Sequence, residues 1–77
     1  MTITTEMLNE MNILLQFPEN SMMKGIKIHN DADPELINAT KRLYDKGLID
    51  QPDGGYLTDA GIELHEHLRV LNSALRS

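Results

Sequence analysis

Apolar residues near the start of the chain recur at helical spacing. They follow an i, i+4, i+7 pattern and are Met7, Leu8, Met11, Leu14 and Leu15. A hydroxyl of Thr4 or Thr5 can cap the first turn, because it accepts a hydrogen bond from an amide that has no partner there. Pro18 disfavours a helical conformation in the residue before it. The pattern predicts a helix over about residues 5–16, with its methionine-rich face in the core.

Residues 25–29 (GIKIH) alternate between apolar and polar side chains. This alternation is typical of a short strand that turns Ile26 and Ile28 towards the core. A short helix over residues 21–24, followed by a turn at Gly25, is the alternative. The alternation favours the strand.

A second helix is predicted over about residues 34–46, because three residues mark its ends. Asp33 is an N-cap, Pro34 suits the first helical position, and Gly47 suits a left-handed C-terminal cap. The predicted inner face holds Leu36, Ala39, Thr40 and Leu43, flanked by Ile37 and Tyr44. The predicted exposed face holds Asn38, Lys41, Arg42 and Asp45.

A β-hairpin and a third helix are predicted in the C-terminal part of the chain. The hairpin spans about residues 48–57, with a tight turn over Asp53-Gly54. Thr58 can cap a helix over about residues 59–74. Four leucines of this helix form a narrow seam that predicts contact with a second copy of the chain: Leu64, Leu68, Leu71 and Leu75.

Length and composition limit the class of protein. The 77 residues are expected to form one domain, 1–77, with a thin core that association with a second copy would help. The chain has no cysteine, which excludes disulfides and thiolate metal sites. No signal peptide and no apolar run long enough to cross a membrane are recognised, so a cytoplasmic protein is expected.

The histidines and carboxylates do not predict a metal or catalytic site. His65 and His67 are two residues apart on a helix, so their side chains diverge. His29 and the nearby aspartates define no ligand geometry. We therefore expect solvated histidines, no metal, no cofactor and no enzymatic activity.

Basic residues are concentrated in the middle of a chain whose formal charge is −5. Asn38 and Arg42 share a helix face, and their side chains can form paired hydrogen bonds with adenine and guanine edges. Together with four lysines they form the predicted DNA-binding set: Lys24, Lys27, Asn38, Lys41, Arg42 and Lys46. A solvated helix face explains the same residues without DNA.

The stretch LYDKGLIDQPDGGYLTDAG resembles the recognition helix, wing and following helix of winged helix-turn-helix regulators. The matching residues are Leu43, Gly47, Leu48, Ile49, Tyr56, Leu57, Thr58 and Gly61. The whole chain also resembles a small bacterial family without an established activity, some members of which are labelled DNA-binding proteins.

The resemblance implies a winged-helix-like α+β fold of three helices and a small antiparallel hairpin, with a third short strand at 26–29 as an option. It also implies a DNA-binding or transcription-regulatory protein whose partner is double-stranded DNA. The alternative is a non-enzymatic protein–protein interaction module on the same fold, whose partner is another protein or a second copy.

Overall fold

The fold consists of three helices and a three-stranded antiparallel sheet. The computed structural model describes residues 2–18 and 24–76. Its elements are α1 (Thr5–Leu15), β1 (Ile26–Lys27), α2 (Pro34–Asp45), β2 (Ile49–Gln51), β3 (Gly54–Leu57) and α3 (Asp59–Arg76). The predicted α+β class is therefore confirmed, and each predicted helix is present.

The third strand of the sheet is β1, which confirms the strand interpretation of residues 26 and 27. The strand order is β1-β3-β2, and Ile26 pairs with Gly55. Both Gly25 and Gly54 lie where a Cβ atom would collide with the backbone of the opposite strand, so glycine permits this close pairing. Of the alternative helix at 21–24, residues 21–23 lie outside the described part of the chain.

The hairpin turn differs by one residue from the prediction. Gln51 pairs with Gly54, so the two loop residues are Pro52 and Asp53 rather than Asp53 and Gly54. The register shifts between Ile49 and Gln51, which marks an irregularity in β2. Gly54 already belongs to β3 and has a φ angle of 131°, which favours glycine there.

Both ends of α2 are closed as the sequence predicts. Asp33 Oδ1 accepts a hydrogen bond of 2.9 Å from the Glu35 amide. At the other end, the amides of Gly47 and Leu48 donate to the carbonyls of Tyr44 and Leu43, each at 3.0 Å. Gly47 has a φ angle of 75°, so this is a Schellman cap that turns the chain towards β2.

The core lies between the three helices and the sheet. Its buried members are Ile13, Leu14, Phe17, Ala39, Leu43, Ile49, Leu57 and Leu68. Helix α1 packs against both α2 and α3. Gly61 brings α3 against the Leu48 carbonyl, where a Cβ atom would collide. Leu8, expected on the apolar face of α1, is instead half exposed.

The predicted leucine seam of α3 is divided between the core and the surface. Leu68 is buried in the core, and Leu64 packs against it. Leu71 is 46% exposed and Leu75 is 76% exposed. Both follow Leu68, the last residue of α3 that belongs to the core cluster. The four leucines therefore do not form one surface, and only Leu71 and Leu75 remain well exposed for a partner.

Candidate functional site

The prediction that the basic face of α2 is exposed is wrong for Arg42. Its Nε atom donates a 2.9 Å hydrogen bond to Glu10 Oε2, and its side chain is only 30% exposed. Lys46 Nζ binds Glu10 Oε1, although the Lys46 side chain stays about half exposed. Two of the six predicted DNA-binding residues are thus paired with a carboxylate of α1.

The rotation of α1 about its axis explains this pairing. Glu10 precedes Ile13, Leu14 and Phe17 at helical spacings of three, four and seven residues, and all four are buried. The face of α1 that packs against the rest of the protein therefore carries Glu10. The stripe predicted from the methionines and leucines overlaps this face at Leu14 but does not include Glu10, so the sequence pattern gave no sign of the ion pair.

Two opposing effects act on the Glu10 carboxylate. Burial raises its pKa, since water no longer solvates the charge. Hydrogen bonds and charges from Lys46 and Arg42 outweigh burial, and the pKa of Glu10 lies below its usual value. Glu10 is therefore ionised at neutral pH and holds two cations of α2.

Three other cations of the predicted set are free of such contacts. Lys24, Lys27 and Lys41 are exposed, and none of their side chains forms a hydrogen bond or ion pair with another described residue. Asn38 is also exposed on α2. We call these four residues the α2 contact surface.

A groove of about 730 Å³ lies between α2 and the hairpin loop and adjoins this surface. It is lined by Lys27, Ile28, His29, Asn30, Ile37, Thr40, Lys41, Gln51, Pro52 and Asp53. Two lysines and one aspartate give its lining an excess of positive charge. The other hairpin aspartate, Asp50, accepts a 2.8 Å hydrogen bond from the Tyr56 amide, so it has a structural role within the hairpin.

His65 was expected to be solvated, but the structure places it in the protein interior. It is 4% exposed, and its Nε2 atom donates a 2.8 Å hydrogen bond to the Phe17 carbonyl. His65 lies four residues after Gly61 and three before Leu68, and these spacings place it on the buried face of α3. This spacing is the sequence feature that could have predicted its burial. His29 and His67 are exposed, as expected.

Two features are absent from the part of the chain that the structure describes, a cluster of metal ligands and a helix able to span a membrane. Within residues 2–18 and 24–76, no group of three histidine or carboxylate side chains is arranged to hold a metal ion. None of the helices there is long and apolar enough to cross a membrane.

Comparison with known proteins gives a family without a known activity. A model of the family described as "Family of unknown function (DUF5669)" matches residues 1–76. No curated protein matches the chain. No solved structure matches it either.

Proposed function

The chain belongs to this family of unknown function, and we propose that it is a small cytoplasmic DNA-binding protein of winged-helix type. The observation that carries the proposal is the α2 contact surface. Lys27 and Lys41 flank a groove between an exposed helix face and a hairpin loop, and no described carboxylate pairs with them. This surface is the one on which the protein would meet duplex DNA.

The order of elements supports the proposal. Helix α2 is followed directly by the β2–β3 hairpin, as in the winged-helix regulators that the sequence resembles. An α-helix fits the major groove of B-DNA, where an asparagine side chain can pair with an adenine edge. Asn38 is exposed on α2 one turn from the cap at Asp33, and Lys41 is close enough to reach a phosphate from the same side.

The ion pairs of Glu10 limit the number of cations that can contact DNA phosphates. Arg42 and Lys46 are held by Glu10, so three lysines remain to neutralise phosphates: Lys24, Lys27 and Lys41. Three phosphate contacts correspond to a slope of log K against log salt of about −3. The formal charge of −5 opposes association with DNA, and we expect weak binding that is easily reversed by salt.

An amide chemical-shift titration with mixed-sequence duplex DNA at low salt tests the proposal. Shifts confined to residues 24–30 and 38–41, and reversed by added salt, would support it. The K41Q variant should reduce these shifts. The control variant S73E changes the net charge by the same amount at an exposed position of α3, and it should leave them largely unchanged. No shifts at low salt would exclude DNA binding by this surface.

A second function, a protein-interaction module, is favoured by the exposed leucines of α3. Leu75 lies seven residues after the buried Leu68 and thus on nearly the same side of the helix, yet it is 76% exposed. Leu71, one turn earlier, is 46% exposed. Such exposed leucines suit contact with a second copy of the chain.

Sedimentation velocity over a range of concentrations tests this second function. The double variant L71S/L75S should abolish a concentration-dependent dimer. V70S is the matched control, because Val70 is also exposed but lies about 100° from Leu71 around the axis of α3. A monomer at all concentrations for the unaltered protein would exclude the dimer while leaving the DNA titration valid.

A further inference from the structure

A second groove, which shares no lining residue with the first, lies between α1 and α3. Its volume is about 450 Å³. It is lined by Asn12, Leu15, Phe17, Pro18, His65, Arg69, Asn72 and Arg76. None of these residues is acidic, although the chain as a whole has twelve acidic and seven basic residues. The volume falls in the range of small-molecule sites.

The donors of this groove form a stripe along α3. His65, Arg69, Asn72 and Arg76 follow one another at intervals of four, three and four residues, so they share a helix face. Arg69 is held by Glu66, with an Nη2 to Oε1 distance of 2.6 Å. The Arg76 side chain forms no hydrogen bond or ion pair with another described residue. A guanidinium and an amide are thus available beside each other.

His65 adds an acceptor to the base of the groove. Its Nε2 carries the proton that is donated to the Phe17 carbonyl, because a carbonyl oxygen can only accept. In the neutral ring, Nδ1 is then a hydrogen-bond acceptor. Nδ1 has no hydrogen-bond partner among the described residues. Every fully buried side-chain nitrogen or oxygen in the described part of the chain does have a partner. Nδ1 is therefore not fully buried, although the residue as a whole is only 4% exposed.

From these positions we infer that the α1–α3 groove binds a small organic carboxylate or phosphate that also carries a hydroxyl or N–H group. The oxyanion would accept from Arg76 and Asn72, in the charge-assisted geometry that guanidinium groups favour. The hydroxyl or N–H group would donate to His65 Nδ1. An aliphatic portion of the ligand would lie against Leu15 and Phe17. This site is independent of the DNA proposal.

Three probes test the inference through the side-chain amides of Asn12 and Asn72 and the ring nitrogens of His65. The probes are 2-hydroxy-4-methylpentanoate, 4-methylpentanoate, which lacks the hydroxyl, and inorganic phosphate. We expect the chemical shifts of these groups to change and then saturate as the probe concentration rises to about 10 mM. This range suffices for a dissociation constant of about 1 mM. The hydroxy acid should bind more tightly than the acid without a hydroxyl.

Two variants separate a specific site from general attraction of anions. R76Q should weaken binding of the hydroxy acid about tenfold, the loss expected for one charge-assisted hydrogen bond. A60E adds a negative charge at the exposed first turn of α3 and should leave binding unchanged. The inference would be overturned by an absence of saturable shifts, by unchanged binding in R76Q, or by equal affinity for the two acids.

Discussion

Glu10 and Arg42 form a hydrogen-bonded ion pair of 2.9 Å between helices α1 and α2, although 32 positions separate them in the chain. Arg42 also approaches Glu6, with its Nη2 atom 3.4 Å from the Glu6 carbonyl oxygen. Lys46 completes the cluster by binding the other oxygen of Glu10. This cluster both ties α1 to α2 and removes two cations from the surface that we propose for DNA.

The E10Q variant should lower the free energy of unfolding by about 1–3 kcal/mol, the range for hydrogen bonds that involve charged groups. Arg42 and Lys46 are partly solvated, so the loss should be smaller than for a fully buried pair. Urea denaturation measures it. E6Q is the control, because the Glu6 side chain is 75% exposed and 3.9 Å from Arg42, and it should change stability by less than about 0.5 kcal/mol. Equal effects of the two variants would contradict the role of Glu10.

The contribution of Glu10 should also depend on pH in a defined direction. Its folded-state pKa is lowered, so its stabilising effect is present above the unfolded-state value of about 4.3 and is lost as the pH falls through the lower folded value. We expect the stability difference between the unaltered protein and E10Q to be constant near neutral pH and to shrink below about pH 4. Urea titrations at several pH values measure it, and a difference that grows on acidification would show the opposite sign.

Neutralising Glu10 should strengthen binding of DNA. In E10Q, Arg42 and Lys46 lose their carboxylate and become available to phosphates, so the slope of log K against log salt should steepen from about −3 towards −5. The same titration on E6Q is the control, because it alters the net charge equally but leaves Glu10 in place. A slope that is the same in E10Q and E6Q would show that the cluster does not mask the two cations.

Gly47 offers a test of the helix cap that orients the hairpin. Its φ angle is 75°, and a Cβ atom built there would meet nothing within 4 Å, so a substitution is opposed by backbone strain alone. We expect G47A to cost about 1–2 kcal/mol, the penalty of a left-handed conformation. G47N should cost less, since asparagine tolerates this conformation better. Thermal unfolding compares the two, and an equal loss in both would contradict the explanation.

Local signals in the sequence were sufficient to predict much of the fold. Asp33, Pro34 and Gly47 mark the ends of α2 because caps depend on residues within one turn of the helix. Glycines and alternating residues likewise predicted the hairpin and the strand at residues 26 and 27. These elements were predictable because their causes lie close together in the chain.

The candidate sites depended on relations that are distant in the chain. Whether Arg42 is free or paired depends on how α1 is rotated against α2, and whether His65 is buried depends on where α3 crosses the end of α1. The predicted leucine seam is divided between the core and the surface for a related reason. Periodicity shows that leucines share a helix face, but it does not show where along the helix the core ends, which here is Leu68.

The most direct test of DNA binding is the salt dependence of the affinity for a mixed-sequence duplex, compared between the unaltered protein, K41Q and S73E. We predict a slope of about −3 for the unaltered protein, and a slope about one unit smaller in magnitude for K41Q. S73E should weaken binding slightly through net charge but keep the original slope. Absence of binding at low salt, or equal slopes for K41Q and S73E, would contradict the proposal that DNA is contacted through α2.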